Sequence, residues 1–264
     1  MNKYAYVEEI AKEIGGKVQK VTKVNGIEYV GILIGDGEIQ PCVYIDDAYE
    51  KGASVKETAE WIKETAERAS IPNIPKVNSY EEIKDKLRLR LYNGKTPAEV
   101  SEPYLDDLIL IPYIEFGVME DGSMASSKVA SWMLSEWGKT KEEVMAQARE
   151  NTTGCFIKPM AQIMAEMMGM EYDPEMDDGR MYTITNATKL NGAVGVALLE
   201  DELREKFPNG YYVIPSSIHE IIILPDNGEI ELEDLNYMVE SVNAEQLRPE
   251  EILSDHAYYV EGVA

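Results

Sequence analysis

Apolar positions along this chain change period repeatedly, and each change marks an element. Val7, Ile10, Ala11 and Ile14 recur at helical spacing, and Gly15-Gly16 ends that run. Three strand-like stretches follow, at 17–24, 28–34 and 39–45. Asn25-Gly26 joins the first two as a two-residue hairpin signal, because both turn positions favour positive φ. Pro41 confines the third to an edge or delays its start, since proline cannot donate to a ladder. Residues 46–50 read as a short helical turn closed by Gly52. Ser54 and Glu57 form a capping box before a helix that carries Val55, Ala59, Ile62 and Ala66 on one face, with Trp61 beside it as a packing residue. Pro72 and Pro75 keep 71–75 from being helical and mark a soft boundary. That boundary predicts an N-terminal α/β sub-domain over 1–72 and a larger α+β sub-domain over 73–264.

Downstream, Ser79 and Glu82 form a second capping box. Leucine alternates with Arg88 and Arg90 through 87–92, a strand with a basic outer face. The long apolar run 108–118 reads as a buried strand, turned by Asp121-Gly122 toward a partner at 124–127. A helix over 128–137 presents Val129, Trp132, Met133 and Trp137, and Gly138 stops it. Thr140 and Glu143 cap the next helix, which runs to about 151. Met160, Met164, Met167 and Met168 crowd 155–170; thioethers fill irregular core gaps and also suit adaptable binding surfaces, and core filling is expected here. The acidic stretch 171–179 is a solvated loop that lacks the glycine and glutamate placement of a calcium loop. Residues 180–186 form a strand, and 199–207 a helix anchored by Leu203 and Phe207. Two apolar runs at 211–226 flank a polar centre. A helix over 234–242 shows Leu235, Met238, Val239 and Val242 on one side and turns at Asn243; 254–260 is a final strand. With hairpin turns and no strict βαβ period, the pattern predicts an α+β fold with mixed or antiparallel sheets and helices packed on them.

Charge changes this picture most. Forty-nine acidic residues stand against 25 basic ones among 264, a net of −24. That disfavours direct nucleic-acid binding and anionic membranes, which need clustered Lys and Arg. Hydrophobic residues at 44% and charged residues at 28% otherwise fit an ordinary globular chain. Cys42 and Cys155 lie far apart, which argues against a disulfide framework and for buried thiols in a reducing compartment. No apolar h-region opens the chain and no run approaches the ~20 residues of a membrane span. The expected location is cytoplasmic.

Motif chemistry is sparse. No G-x-S-x-G elbow, P-loop or H-E-x-x-H helix occurs. Two cysteines and two histidines scattered at 42, 155, 219 and 256 give no metal-ligand spacing, so neither metal nor cofactor is expected. The one concentrated cluster is Ser216-Ser217-Ile218-His219-Glu220. As chemistry, Ser216 or Ser217 would be a nucleophile and His219 its base. On a strand, however, His219 and Glu220 point to opposite faces, and no oxyanion-hole glycines flank the serines. As structure, Pro215-Ser216-Ser217 is a bend whose hydroxyls satisfy backbone groups, with His219 hydrogen-bonded nearby.

The segments KVNGIEYVGILI, QPCVYIDDAYEKGAS, LDDLILIPYIEFGV, WGKTKEEVMAQARENT, RMYTITN, YVIPSSIHEIIILPD and VNAEQLRPEEILSDHAYYV run in order over nearly the whole length. In them the chain resembles a family of unknown function from Gram-positive Firmicutes, DUF5688; a more distant likeness is to the YtpQ-like family of unknown function. The resemblance implies an intracellular bacterial protein and brings no activity, cofactor or catalytic residues. It singles out Asn151-Thr152 and the Ser-Ser-Ile-His-Glu run. The leading expectation is a non-enzymatic factor acting through an unknown protein partner. A hydrolase-type enzyme built on Ser216, Ser217, His219 and Glu220 is the alternative, and its pocket would include Asn151, Thr152 or Asn186. An acidic nucleic-acid mimic is the third reading.

Overall fold

A computed structural model describes residues 1–35, 42–68, 76–118 and 124–262. The chain divides into two compact units, Met1–Asn73 and Ile74–Ala264. The first contains α1 (Lys3–Ile14), β1 (Lys17–Thr22), β2 (Glu28–Leu33), β3 (Cys42–Tyr44), α2 (Asp46–Glu50) and α3 (Val55–Arg68). The Asn2 side chain caps α1 by accepting from Ala5 N–H, and Gly15 ends the helix at φ 71°. β1 and β2 pair antiparallel from Lys17↔Leu33 to Thr22↔Glu28, and β3 adds to β2. Asn25 and Gly26 both take positive φ, but they sit inside a longer loop with a 3-10 turn at Val24–Gly26, not in a two-residue hairpin. Pro41 and the start of the third strand lie outside the described residues, as do the prolines of 71–75.

Ser54 and Glu57 form the expected reciprocal cap, Ser54 N–H donating to Glu57 Oε2 at 2.9 Å and Glu57 N–H to Ser54 Oγ at 3.2 Å. The core joins Val7, Ile10, Ile32, Ile45, Ala59 and Ile62. Trp61 does not pack into it. One position before Ile62 it is turned about 100° around the helix, and it stands 49% exposed beside a cavity of ≈ 550 Å³ with Tyr29 and Tyr44.

The second unit runs α4 (Tyr80–Ile83), β4 (Leu87–Asn93), β5 (Glu102–Tyr104), β6 (Leu108–Val118), β7 (Met124–Lys128), α5 (Ser131–Trp137), α6 (Lys141–Asn151), β8 (Cys155–Pro159) and α7 (Met160–Met168). It continues with β9 (Tyr182–Asn186), α8 (Gly195–Leu198), α9 (Glu200–Lys206), β10 (Gly210–Ser217), β11 (Glu220–Pro225), α10 (Leu232–Gln246) and β12 (Tyr258–Glu261). One sheet has the order β4-β6-β5 with β7 also on β6; the other runs β12-β10-β11-β9-β8. Every pairing is antiparallel. The fold is α+β.

Both sheets face one core. Leu87, Leu89 and Leu91 of β4, Leu108 and Leu110 of β6, Val144 and Ala148 of α6, and Val213, Ile221 and Ile223 of the β10–β11 hairpin meet there. Tyr212, Ile214 and Leu224 point the other way, against Leu235 and Val239 of α10. That two-sided burial is why β10 reads as an unbroken apolar run instead of alternating.

Several local expectations change. Ser79 makes no side-chain cap bond, and Glu82 instead accepts from Lys76 N–H at 3.3 Å. Lys128 ends β7 instead of opening a helix, and Trp132 is half-exposed. Arg90 is not part of an outer face: it is 6% exposed, stacked 4.3 Å over the Tyr113 ring and bonded to Glu115 at 2.9 Å. α10 carries on past Asn243, whose amide donates to Ser254 O at 2.8 Å, and the final strand begins only at Tyr258. The methionines of α7 do not fill the core. None of its residues is buried, and Met164, Met167 and Met168 are 49%, 72% and 66% exposed. Cys42 and Cys155 are free and only partly buried, their thiols pushed up by desolvation. Among the described residues no helix is long and apolar enough to cross a membrane.

Candidate functional site

The Ser-Ser-Ile-His-Glu run forms the tip of the β10–β11 hairpin. Pro215 and Ser216 occupy a bulge between the pairs Ile214↔Ile222 and Ser217↔Glu220, a place where proline's missing donor costs no ladder bond. Ile218 and His219 make the turn. Ser217 Oγ accepts from His219 N–H at 3.1 Å, and Ser216 Oγ donates to Glu220 Oε1 at 3.3 Å. The His219 ring finds its partners outside the serine pair. Its Nδ1 accepts from Asn191 N–H at 3.2 Å, its Nε2 lies 3.7 Å from Glu251 Oε1, and its backbone carbonyl accepts from Thr185 Oγ1 at 3.0 Å. Among the described residues no bond links the imidazole to either hydroxyl.

Asn151, Thr152 and Asn186 come together elsewhere, in a cleft of ≈ 370 Å³ that also takes in Arg88, Arg90, Glu115 and Asn191. β4 is the edge strand of its sheet, and the end of α6 closes that edge: Leu89 N–H donates to Thr152 Oγ1 at 2.8 Å. Asn151 Nδ2 ties the same helix end to the carbonyls of Lys84 and Leu87 at 2.6 and 3.1 Å. The opposite wall is the turn after β9, where Asn186 accepts from Thr188 Oγ1 and Leu190 N–H and donates to Leu190 O. The three residues thus build the walls with their polar groups already committed. Ser216, Ser217, His219 and Glu220 do not line the cleft; His219 reaches it only through Asn191.

A model of the family of unknown function DUF5688 matches residues 3–261. The chain belongs to this family. No curated protein and no solved structure matches it. The family description brings no residue roles, so within this member of DUF5688 the chemistry rests on the geometry.

That geometry contains a hydroxyl–imidazole–carboxylate cluster the sequence does not announce. Ser254 Oγ lies 3.1 Å from His256 Nδ1 and 3.4 Å from Asp107, which also accepts from Asn93 Nδ2 at 3.0 Å and from the Tyr258 hydroxyl. Asp107 is 147 residues from Ser254, so only the fold joins them. Ser254 is 1% exposed and closed to a substrate. The cluster pins β12 to the turn before β6, where Leu105 and Asp106 take positive φ. Among the described residues no group of His, Cys, Asp and Glu is placed to hold a metal ion.

A second departure from ordinary burial is the α7 face. Met164, Met167 and Met168 stand at i, i+3 and i+4, neighbours on one side of the helix, with Met170 63% exposed just beyond. Met160 N–H bonds Met181 O at 2.9 Å, which brings Met181, 39% exposed, to the start of the same helix. The exposed carboxylates of Glu171, Asp173, Glu175 and Asp178 follow directly in the chain.

Proposed function

We propose that this protein is a non-enzymatic accessory or regulatory factor that works through protein contacts, and that the methionine face of α7 receives the partner. The carrying observation is a short helix with no buried residue that exposes Met164, Met167 and Met168 together. Exposed contiguous apolar surface marks interaction sites, and thioethers adapt their shape to a partner. The acidic stretch after the helix defines the partner's chemistry: an amphipathic helical segment with large apolar side chains and basic flanks. The hydrolase alternative draws no support from the hairpin tip, where the imidazole bonds backbone. The mimic reading rests on net charge alone.

Titrating the full chain with a synthetic Leu/Lys amphipathic helical peptide, and with a Leu/Glu counterpart, tests this. Saturable binding of the basic peptide is expected, weakening with salt and lost in a Met164→Lys/Met167→Lys double variant. Binding unchanged by those substitutions overturns the assignment.

A further inference from the structure

The cleft beside β4 is the one basic concavity described above in a chain of net charge −24. Its wall holds two guanidinium groups against one carboxylate, Glu115. Arg90 is more than nine-tenths buried, gives one terminal N–H to Glu115 at 2.9 Å, and leaves its buried Nε–H without an acceptor. Arg88 is partly buried. Its Nη1 is held by the backbone carbonyls of Asp85 and Leu87 at 2.8 and 2.7 Å, and among the described residues it meets no carboxylate. The arginine nearest solvent is therefore oriented by backbone carbonyls and not by a carboxylate. At the rim, the side chains of Thr153 and Asn191 make no hydrogen bond among the described residues, while Met124 and Leu190 offer apolar surface.

We propose that this cleft binds a small organic monocarboxylate. Among the residues lining the cleft, two arginines less Glu115 leave one positive charge, which matches a single anionic group. A planar guanidinium fork suits a carboxylate in two-point contact, as Glu115 already illustrates on Arg90. The volume of ≈ 370 Å³ lies within the small-molecule range and leaves room for an apolar body against Met124 and Leu190. The low-dielectric walls focus the field of Arg88 into the opening. This site is separate from the α7 face and stands or falls independently of it.

Benzoate, benzamide and inorganic phosphate, titrated into the full chain and followed by backbone amide NMR, test the proposal. Benzoate should shift the amides of Thr153, Gly154 and Asn191 saturably, while benzamide and phosphate at equal concentration should not. Arg88→Gln should weaken benzoate by at least about tenfold, and Arg180→Gln, which removes an exposed guanidinium outside the cleft, should leave it unchanged. If Arg88→Gln fails to fold, Arg88→Lys, which keeps the charge and loses the fork, reads the same contact. Equal binding of benzamide would show an apolar pocket only, and equal binding of phosphate a general oxyanion site. Either result, or benzoate binding indifferent to Arg88, overturns the assignment.

Discussion

Nδ1 of His219 accepts the backbone N–H of Asn191 at 3.2 Å, so a histidine at a hairpin tip holds a turn that lies 28 residues earlier in the chain. Asn191 needs holding, because it sits at φ 53°, a region costly for a residue with a Cβ. The imidazole therefore braces backbone in the described geometry. Removing it by His219→Ala leaves a partly buried N–H without its acceptor and should cost about 1–2 kcal/mol. His219→Asn, which can place an oxygen near the Nδ1 position, should recover part of that. Denaturant unfolding of the two variants checks the order.

Gly192, next to that turn, has no room for a side chain. A Cβ there would lie 2.7 Å from His219 O and from Thr185 Oγ1, and 2.8 Å from Asn186 N. Two of those three are backbone atoms and cannot step aside. Gly192→Ala should destabilise by about 1–3 kcal/mol through overpacking. Thermal unfolding within experimental error of wild type would contradict it.

Two capping sequences of the same type should behave differently. Thr140 accepts from Glu143 N–H at 3.2 Å while Glu143 accepts from Thr140 N–H at 2.9 Å, and Thr140→Ala should cost about 1 kcal/mol. Ser79 makes no such bond, so Ser79→Ala should change stability by less than about 0.5 kcal/mol. The Glu143 carboxyl is held below its ordinary 4.5 by the Thr140 backbone and then by Lys139. Its lowered pKa means the cap's contribution is present above pH 4.5 and disappears as pH falls through the folded value. The difference between wild type and Glu143→Ala should therefore shrink in acid, whereas that between wild type and Thr140→Ala, which keeps the backbone N–H, should not.

Arg90 and Glu115 form a buried pair, with side chains 7% and 27% exposed. Removing one partner strands the other charge, so Arg90→Ala and Glu115→Ala should each cost about 3 kcal/mol. Replacing both at once, as Arg90→Met/Glu115→Leu, should cost far less than the sum. Strict additivity in a double-mutant cycle would show that the pair is not coupled.

At high pH the partly buried tyrosines contribute. Burial, with Cys42 adding to it, pushes Tyr44 from 10.0 up to about 12. A raised folded pKa binds the proton more tightly in the native state, so this stability is full below pH 10 and is lost as pH climbs through about 12. Hydrogen bonding to Asp177 raises Tyr172 likewise to about 12. Absorbance titration should show these phenols ionising late, and Tyr44→Phe should flatten the alkaline fall in stability. Ionisation of every tyrosine near pH 10 in the folded protein would refute it.

Local sequence determined what nearest neighbours decide. The caps at Ser54 and Thr140, the positive φ of Asn25 and Gly26, the stops at Gly15 and Gly138, and the long strand through Leu108 each depend on a few adjacent residues, and all are read from order alone. The α+β class follows from their succession. Tertiary structure decided where polar and adaptable side chains spend their bonds. Nothing adjacent to Arg90 shows that Tyr113 and Glu115 will bury it, and nothing beside Ser254 announces Asp107. The methionines of α7 obey a helical period that fits a core and a docking surface equally well. Hydrophobic pattern says which face of an element is apolar; only the packed chain says whether another element arrives to cover it.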